Sequence, residues 1–512
     1  MKKLAVFIFV SMLFFSACGG SDGGKDTKNV PPGPTFETFS FNNLNGNDIY
    51  LVKVNKSNVV VEAADTGGVS TFGVSALSMG LLNNRNEWLD MEEELPLMDY
   101  PPALEFNANP PPIDEEPPRR LQTASIPSAV GETRNFWVET VILGRLIWTE
   151  KQATLRATGT HGNIWVMNEN YSPTSAKKLD NQITTEQAEA LADKFDLIYP
   201  AATNILGFEY GGGPNGNGGI DGDPKIQILI YDIAIDASGY FWGKDLLQQF
   251  QLETHSRDAK TNLAEIFYLD AYVTNNYPDF IYSTMIHELQ HLINYSVKWI
   301  KHEKSSATWY NEMLSIMAED IIAPMIGVDL SNSDHPVMDM RRFLIWYDQV
   351  GITKWDSSSN SYAKGFAFGA YLLRNYGGAE LLKSILANDT TNIESISSAL
   401  NEISPGMNFE KAFARFGEAM IYSGLQKPEG VMTFDKTVTS AINGFTYTAY
   451  GFDIWNDFDV KGPVIFNLRA MEMEPHSISI HSANEWKNIS GDFSITLEQP
   501  TNENIELYLL KR

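Results

Sequence analysis

Residues 284–293 read Thr-Met-Ile-His-Glu-Leu-Gln-His-Leu-Ile, and no other run in the chain is better spaced for chemistry. On a helix, positions i and i+4 share a face, so His287 and His291 can reach a single Zn²⁺. Glu288, beside the first histidine, projects next to such a metal and can take a proton from water held there. The chemistry implied is metal-assisted hydrolysis. The helix around the motif is apolar (Phe280, Ile281, Met285, Ile286, Leu289, Leu292, Ile293), and Glu288 is its only charged residue between Phe280 and Tyr295. A charge on a buried face needs a partner or a task. That favours a metal site over two histidines that merely pack.

Two histidines do not complete the site, because a catalytic metal takes three protein ligands and keeps one position open. The chain has only 8 histidines, and none lies at positions 292–301; His302 is the next. The remaining solution is a carboxylate on a following helix. Residues 305–322 supply one, with Ser305-Ser306 as a cap signal and Glu312 as the expected third ligand. Glu319 follows about two turns later on nearly the same face. It is expected to support from behind, or to replace Glu312 as ligand.

The elements that must hold these residues fall in a dense, regular stretch. Phe136–Thr149 and Ala153–Met167 read as strands, with a turn at 160–163. Thr185–Tyr199 has helical periodicity (Ala188, Leu191, Ala192, Phe195, Ile198), and Lys225–Tyr231 reads as a buried strand. Strands return at Val464–Arg469, Ser477–His481, Phe493–Leu497 and Ile505–Leu510. The division expected is a small β unit over 35–75 with a hairpin at Asn45-Gly46, a linker or pro-segment over 76–135, a metal-site domain over 136–428, and a sandwich-like β domain over 429–512. Nine of the 24 prolines lie between Pro96 and Pro127, mixed with acidic clusters and then Arg119-Arg120. That composition reads as an extended spacer, or as a pro-segment cleaved near the two arginines.

His-Glu-x-x-His followed by Asn311-Glu312-x-x-Ser315 resembles the gluzincin group of metallopeptidases. The resemblance implies Glu312 as third zinc ligand and an α+β, thermolysin-like catalytic domain, flanked here by small β domains. The wider run, from Asp221-Gly-Asp-Pro-Lys-Ile through the motif to Trp309-Tyr-Asn-Glu, is similar to the hyicolysin-type family of secreted bacterial metallopeptidases over residues 136–425. One departure stands out. Thermolysin-like enzymes carry Asp four residues after the ligand Glu to brace the first histidine, and position 316 is Ile here. The brace must then be Glu319 or a backbone carbonyl. Tyr362-Ala-Lys-Gly365 resembles the Tyr-x-x-Gly segment of aminopeptidase-like gluzincins, which implies Tyr362 as the donor to the developing oxyanion. Tyr371 and Tyr376 lie on the same helical stretch, where a tyrosine is more often a core residue. Nothing resembles the Gly-x-Met-Glu-Asn segment that grips a free N-terminus, so endopeptidase activity is expected.

Composition narrows the setting. With 38 Lys+Arg against 64 Asp+Glu the chain lacks the basic surface that nucleic acid requires. Lys2-Lys3, an apolar stretch over Leu4–Phe15 and Phe15-Ser16-Ala17-Cys18 resemble a bacterial lipoprotein signal peptide (1–17), with Cys18 lipidated and residues 18–34 as a flexible tether. A cleaved secretory signal is the alternative. Either places the protein outside the cytoplasm, in the cell envelope or secreted, with protein substrates and a membrane reached through the lipid. Cys18 is the only cysteine, so no disulfide stabilises the fold. The glycine-rich loop 211–223 reads as a tight turn before the Lys225 strand, or as a Ca²⁺ site using Asp221 and Asp223. The competing class of function is an inactive surface lipoprotein, an adhesin or scaffold on a degenerate peptidase fold. Nothing in the sequence bears on oligomeric state.

Overall fold

A computed structural model describes residues 35–68, 99–112, 129–235, 237–253, 258–328, 339–425, 427 and 429–512. Cys18, Arg119 and Arg120 lie outside the described residues. The chain opens with β1 (Phe36–Asn47), β2 (Ile49–Asn55) and α1 (Pro101–Ala108). Then come β3 (Thr133–Ile142), β4 (Arg145–Thr158), β5 (Gly162–Met167), α2 (Thr185–Leu206), β6 (Ile226–Tyr231), β7 (Gly239–Phe241), α3 (Gln249–Glu253) and β8 (Ile266–Asp270). A helical block follows: α4 (Ala271–Asn276), α5 (Pro278–Asn294), α6 (Thr308–Ile322), α7 (Met340–Trp346), α8 (Ser359–Asn375), α9 (Ala379–Ala387), α10 (Asn392–Ile403), α11 (Phe409–Ala414) and α12 (Phe416–Tyr422). The last strands are β9 (Val438–Ile442), β10 (Phe445–Ala449), β11 (Phe466–Asn467), β12 (Ser477–Ser482), β13 (Ile489–Glu498) and β14 (Ile505–Lys511). The fold is mixed helix and sheet.

The sheet that carries the site has six strands in the order β3-β4-β5-β6-β8-β7. Strands β5, β6 and β8 run parallel, and β7 closes the series antiparallel to β8. Every residue of β6 is buried, as expected for a parallel strand covered on both faces. Helix α2 covers the sheet with Ala188, Leu191, Ala192, Phe195 and Ile198, and a capping box from Thr184 and Gln187 fixes its start. It runs on past the expected end at Tyr199, through Pro200, to Leu206. Helix α5 starts at Pro278, a residue pre-set for a first turn, and buries Ile281, Met285, Ile286, Leu289, Leu292 and Ile293 almost completely. Each such side chain contributes about 2 kcal/mol on burial, so the apolar stripe sets the orientation of the two histidines.

Four local expectations give way. Phe136–Thr149 is two strands, because Leu143 and Gly144 both take positive φ and turn the chain between β3 and β4. Asn45-Gly46 makes no hairpin: β1 pairs with β13, and the pair forms a register irregularity with Gly46 at φ +70°. Val464–Arg469 shortens to the two residues of β11. Ser305-Ser306 does not cap α6, whose N-cap is Ala307, and Ser306 Oγ accepts from Asn294 Nδ2 instead.

The terminal strand sets, expected as separate units, pair with each other. β2 sits between β12 and β14 in one four-stranded sheet, and Phe36–Arg512 forms one compact unit. Apolar faces too small to form a core alone are buried jointly: Leu44, Ile49 and Leu51 from the first set pack with Trp486, Leu497 and Leu509 from the second. The proline-rich stretch also departs from a plain spacer. Its described part, 99–112, is docked, with Asp99 2% and Tyr100 1% exposed.

Candidate metal centre

His287 and His291 project from α5 as the i, i+4 spacing requires, with ring centroids 4.6 Å apart, and both are buried. Helix α6 packs on α5 and brings Glu312 opposite them. Glu312 Oε2 lies 3.1 Å from His287 Nε2, and Glu312 Oε1 lies 3.3 Å from His291 Nε2. The far side of each ring is also held. His287 Nδ1 is 2.7 Å from Glu319 Oε1, and Ser283 Oγ donates to the other oxygen of Glu319. His291 Nδ1 is 3.1 Å from Ser315 Oγ. Glu319 thus stands where an i+4 aspartate would brace the first histidine, while Ile316 is buried and packs towards Gly365. Carboxylate contact on a histidine's outer nitrogen fixes the ring and aims Nε2 at the metal position.

Helix α8 supplies the third wall. Glycines let it approach α6 closely: a Cβ on Gly369 would lie 2.7 Å from Met317 Cγ. That approach sets Tyr362 at the centre, its hydroxyl donating to Asp99 at 3.0 Å and its ring edge-on to Trp355. Burial, then the charges of Asp99 and Glu312, pushes the phenol well above its ordinary range, so it stays a proton-bearing donor. Tyr371 and Tyr376 are hydrogen-bonded to each other elsewhere in the core.

The residue that sequence reasoning missed is Asp99. Its Oδ2 is 3.3 Å from His287 Nε2 and its Oδ1 3.4 Å from His291 Nε2. One ligand atom from each of Asp99, His287, His291 and Glu312 falls within 4.8 Å of every other. Among the described residues this is the one group of at least three His, Cys, Asp or Glu side chains so gathered. Nothing near Asp99 in the sequence marks it, since no spacing links it to the motif helix.

The electrostatics suit a cation. Burial would lower His291, yet Glu312 first and Asp99 next push it up to about 10. Burial would raise Asp99, but His287 and then His291 hold its carboxyl below the usual carboxylate range. Glu288 is pushed well above its range by burial and then by Asp99. Both Glu288 oxygens, His291 Nε2 and Glu312 Oε1 are buried without a hydrogen bond. A buried polar atom left without a hydrogen bond costs about 1–3 kcal/mol, and a cation would give all of these atoms a partner, so a divalent metal fits this set better than a purely structural role. Two imidazole nitrogens with carboxylate oxygens are the donors Zn²⁺ takes.

The glycine-rich loop has other occupations. Asp221 Oδ1 accepts from the backbone N–H of Asp223, and Asp223 accepts from the N–H of Lys225 and from Asn163. These bonds build the turn before β6. Both oxygens of Asp223 are engaged in that turn, the reading expected ahead of a Ca²⁺ site. No helix among the described residues is long and apolar enough to cross a membrane.

Comparison with known proteins bears on the same residues. A family model described as Peptidase M30 matches residues 145–449, more than half of the chain. Over 324 residues the chain is 26% identical to "Neutral metalloprotease ShpI" of Staphylococcus hyicus, covering 59% of this chain and 65% of the length of that relative. His287, Glu288, His291, Glu312 and Tyr362 all lie inside the stretch matched by the family model. Asp99 lies before it.

Proposed function

From the premise that the chain belongs to the Peptidase M30 family, we propose that it is a zinc-dependent endopeptidase of gluzincin type acting on proteins outside the cytoplasm. The observation that carries this reading is Glu288, buried beside the two histidines and Glu312 with both oxygens free of hydrogen bonds. His287, His291 and Glu312 would hold the metal, and Glu319 and Ser315 would orient the rings. A bound Zn²⁺ supplies Lewis-acid chemistry, polarising a carbonyl and making water more acidic. Glu288 takes the proton of the attacking water and hands it to the leaving amine. Tyr362 donates its hydroxyl to the oxygen that gains charge at the scissile carbonyl. No lysine or arginine is asked to do chemistry.

The purified full chain is expected to carry one zinc per molecule and to cleave casein. A chelator should abolish cleavage and added Zn²⁺ should restore it. A chain that takes up no metal would favour the binding-module class instead.

The same reading places the protein at a bacterial membrane through lipid on Cys18, on the strength of Phe15-Ser16-Ala17-Cys18 and the Gly/Ser-rich stretch after it. A detergent phase-partition assay checks this. Wild type should enter the detergent phase and Cys18→Ala the aqueous phase; a wild type found wholly in the aqueous phase would point to secretion.

A further inference from the structure

We infer that the segment Asp99–Ala108 is an internal inhibitor, with Asp99 in the metal's fourth position and Asn107 on the sheet edge where substrate would lie. The inference deepens the metallopeptidase reading and rests on it. Its first support is ligand arithmetic. A catalytic zinc keeps one position open for water, whereas four protein ligands make the closed set of a structural site. His287, His291 and Glu312 already supply the three, and the Asp99 oxygens, at 3.3 Å and 3.4 Å from the two Nε2 atoms, close the fourth. The carboxylate also engages the Tyr362 hydroxyl at 3.0 Å, the group that would otherwise face the carbonyl oxygen of a substrate. One side chain therefore occupies the water position and the oxyanion donor together.

The second support comes from the sheet. Among the described residues β7 is the outermost strand of its sheet, and its far edge pairs with no further strand there. Extended peptides bind such edges through main-chain hydrogen bonds. Asn107 of α1 takes that edge with its side chain: Nδ2 donates to the Phe241 carbonyl at 2.8 Å and Oδ1 accepts from the Gly243 N–H at 2.8 Å. A carbonyl and the N–H two residues on are the pair that one residue of an adjoining strand satisfies. The amide side chain imitates a peptide bond there. Between these two anchors Tyr100 packs on Tyr240 and Trp242, with ring centroids 5.0 Å and 5.7 Å away.

The position of the segment in the chain is the third support. The three ligands lie within residues 145–449, the stretch matched by the family model, and Asp99 lies before it. The fourth ligand thus comes from outside the stretch that the family model matches. A peptide substrate must displace the segment to reach either the metal or the strand edge. If the segment is seated in 99 of 100 molecules, apparent affinity for an active-site ligand falls roughly 100-fold.

The test compares zinc-loaded full chains: wild type, Asp99→Asn, Asp99→Ala and Asn107→Ala. The isosteric Asp99→Asn guards against a packing defect in Asp99→Ala. Two readouts do not depend on turnover: titration with a peptide hydroxamate, and the rate of zinc transfer to a competing chelator. A third is the turnover of a fluorogenic peptide. Both Asp99 variants should bind the hydroxamate at least about tenfold more tightly than wild type, lose zinc faster and turn over faster, with Asn107→Ala between them. Equal hydroxamate affinity in all four chains overturns the inference. So does failure of both Asp99 variants to hold zinc that wild type holds, which would make Asp99 a permanent ligand. Tighter hydroxamate binding without peptide cleavage by any chain keeps the inhibitor and removes the endopeptidase. No zinc in any chain removes both.

Discussion

Glu288→Gln is expected to keep its full complement of zinc and to lose peptide hydrolysis by about 10³-fold, the scale of a positioned general base. The loss should fall on kcat, because the carboxylate acts on a proton in flight and not on the bound substrate. The amide fits the same space, and Glu288 is not a ligand in the four-residue group. No hydrogen bond is broken, since neither oxygen of Glu288 makes one. Folding should not suffer either. Burial holds the Glu288 carboxyl well above its usual range, so the substitution exchanges a neutral acid for a neutral amide of the same shape. The variant should therefore melt close to the wild-type temperature. Zinc content by mass spectrometry, thermal melting and peptide turnover, measured in wild-type and Asp99→Ala backgrounds, check the three parts together. A stable, zinc-loaded, inert protein can result only from loss of the base. More than a tenth of the activity retained removes Glu288 from that role.

What the sequence made legible follows from the range of the forces involved. His287 and His291 were readable because helical geometry fixes i, i+4 neighbours within one element, and the apolar stripe of α5 says which face turns inward. Glu312 and Glu319 were readable for a similar reason: one helix presents both, about two turns apart, and Glu319 does meet His287 at 2.7 Å. Local rules failed where a distant partner outweighed them. Asn45-Gly46 has the composition of a hairpin turn, but β13 offers β1 a longer ladder than β2 would. Leu143 hid a turn because a leucine at positive φ carries no turn signature; the glycine after it does. The pairing of β2 with β12 and β14 is set by tertiary burial that no window along the chain contains.

Asp99 is the extreme case. Composition around it, rich in proline and acidic residues, reads as unable to bury enough apolar surface for order. Yet Tyr100, Ala103 and Leu104 bury themselves against the core, and Asp99 rides in with them. The energy that docks the segment is therefore apolar and local to α1, while the consequence is electrostatic and lies at the metal position.

Glu312→Ala should weaken zinc binding by roughly 10²- to 10³-fold and abolish hydrolysis at ordinary zinc concentrations. Structural zinc sites bind with about 10–16 kcal/mol shared over four ligands, so one ligand is worth around 3 kcal/mol, or two to three decades of affinity. Glu319→Gln is the informative companion. It touches the outer nitrogen of His287 and should cost only about 10- to 100-fold in affinity, because it orients a ligand without being one. Zinc titration against a fluorescent chelator separates the two variants, and excess Zn²⁺ sharpens the contrast. Saturating metal should rescue most of the turnover of Glu319→Gln, since His287, His291 and Glu312 remain. Glu312→Ala should stay impaired even when forced to bind, because once substrate displaces Asp99 only the two histidines hold the ion. Were Glu319→Gln the more damaging change, the ligand would be Glu319 and Glu312 its support. The 3.1 Å and 3.3 Å approaches of Glu312 to the two Nε2 atoms, against a Glu319 that meets His287 at Nδ1, point the other way.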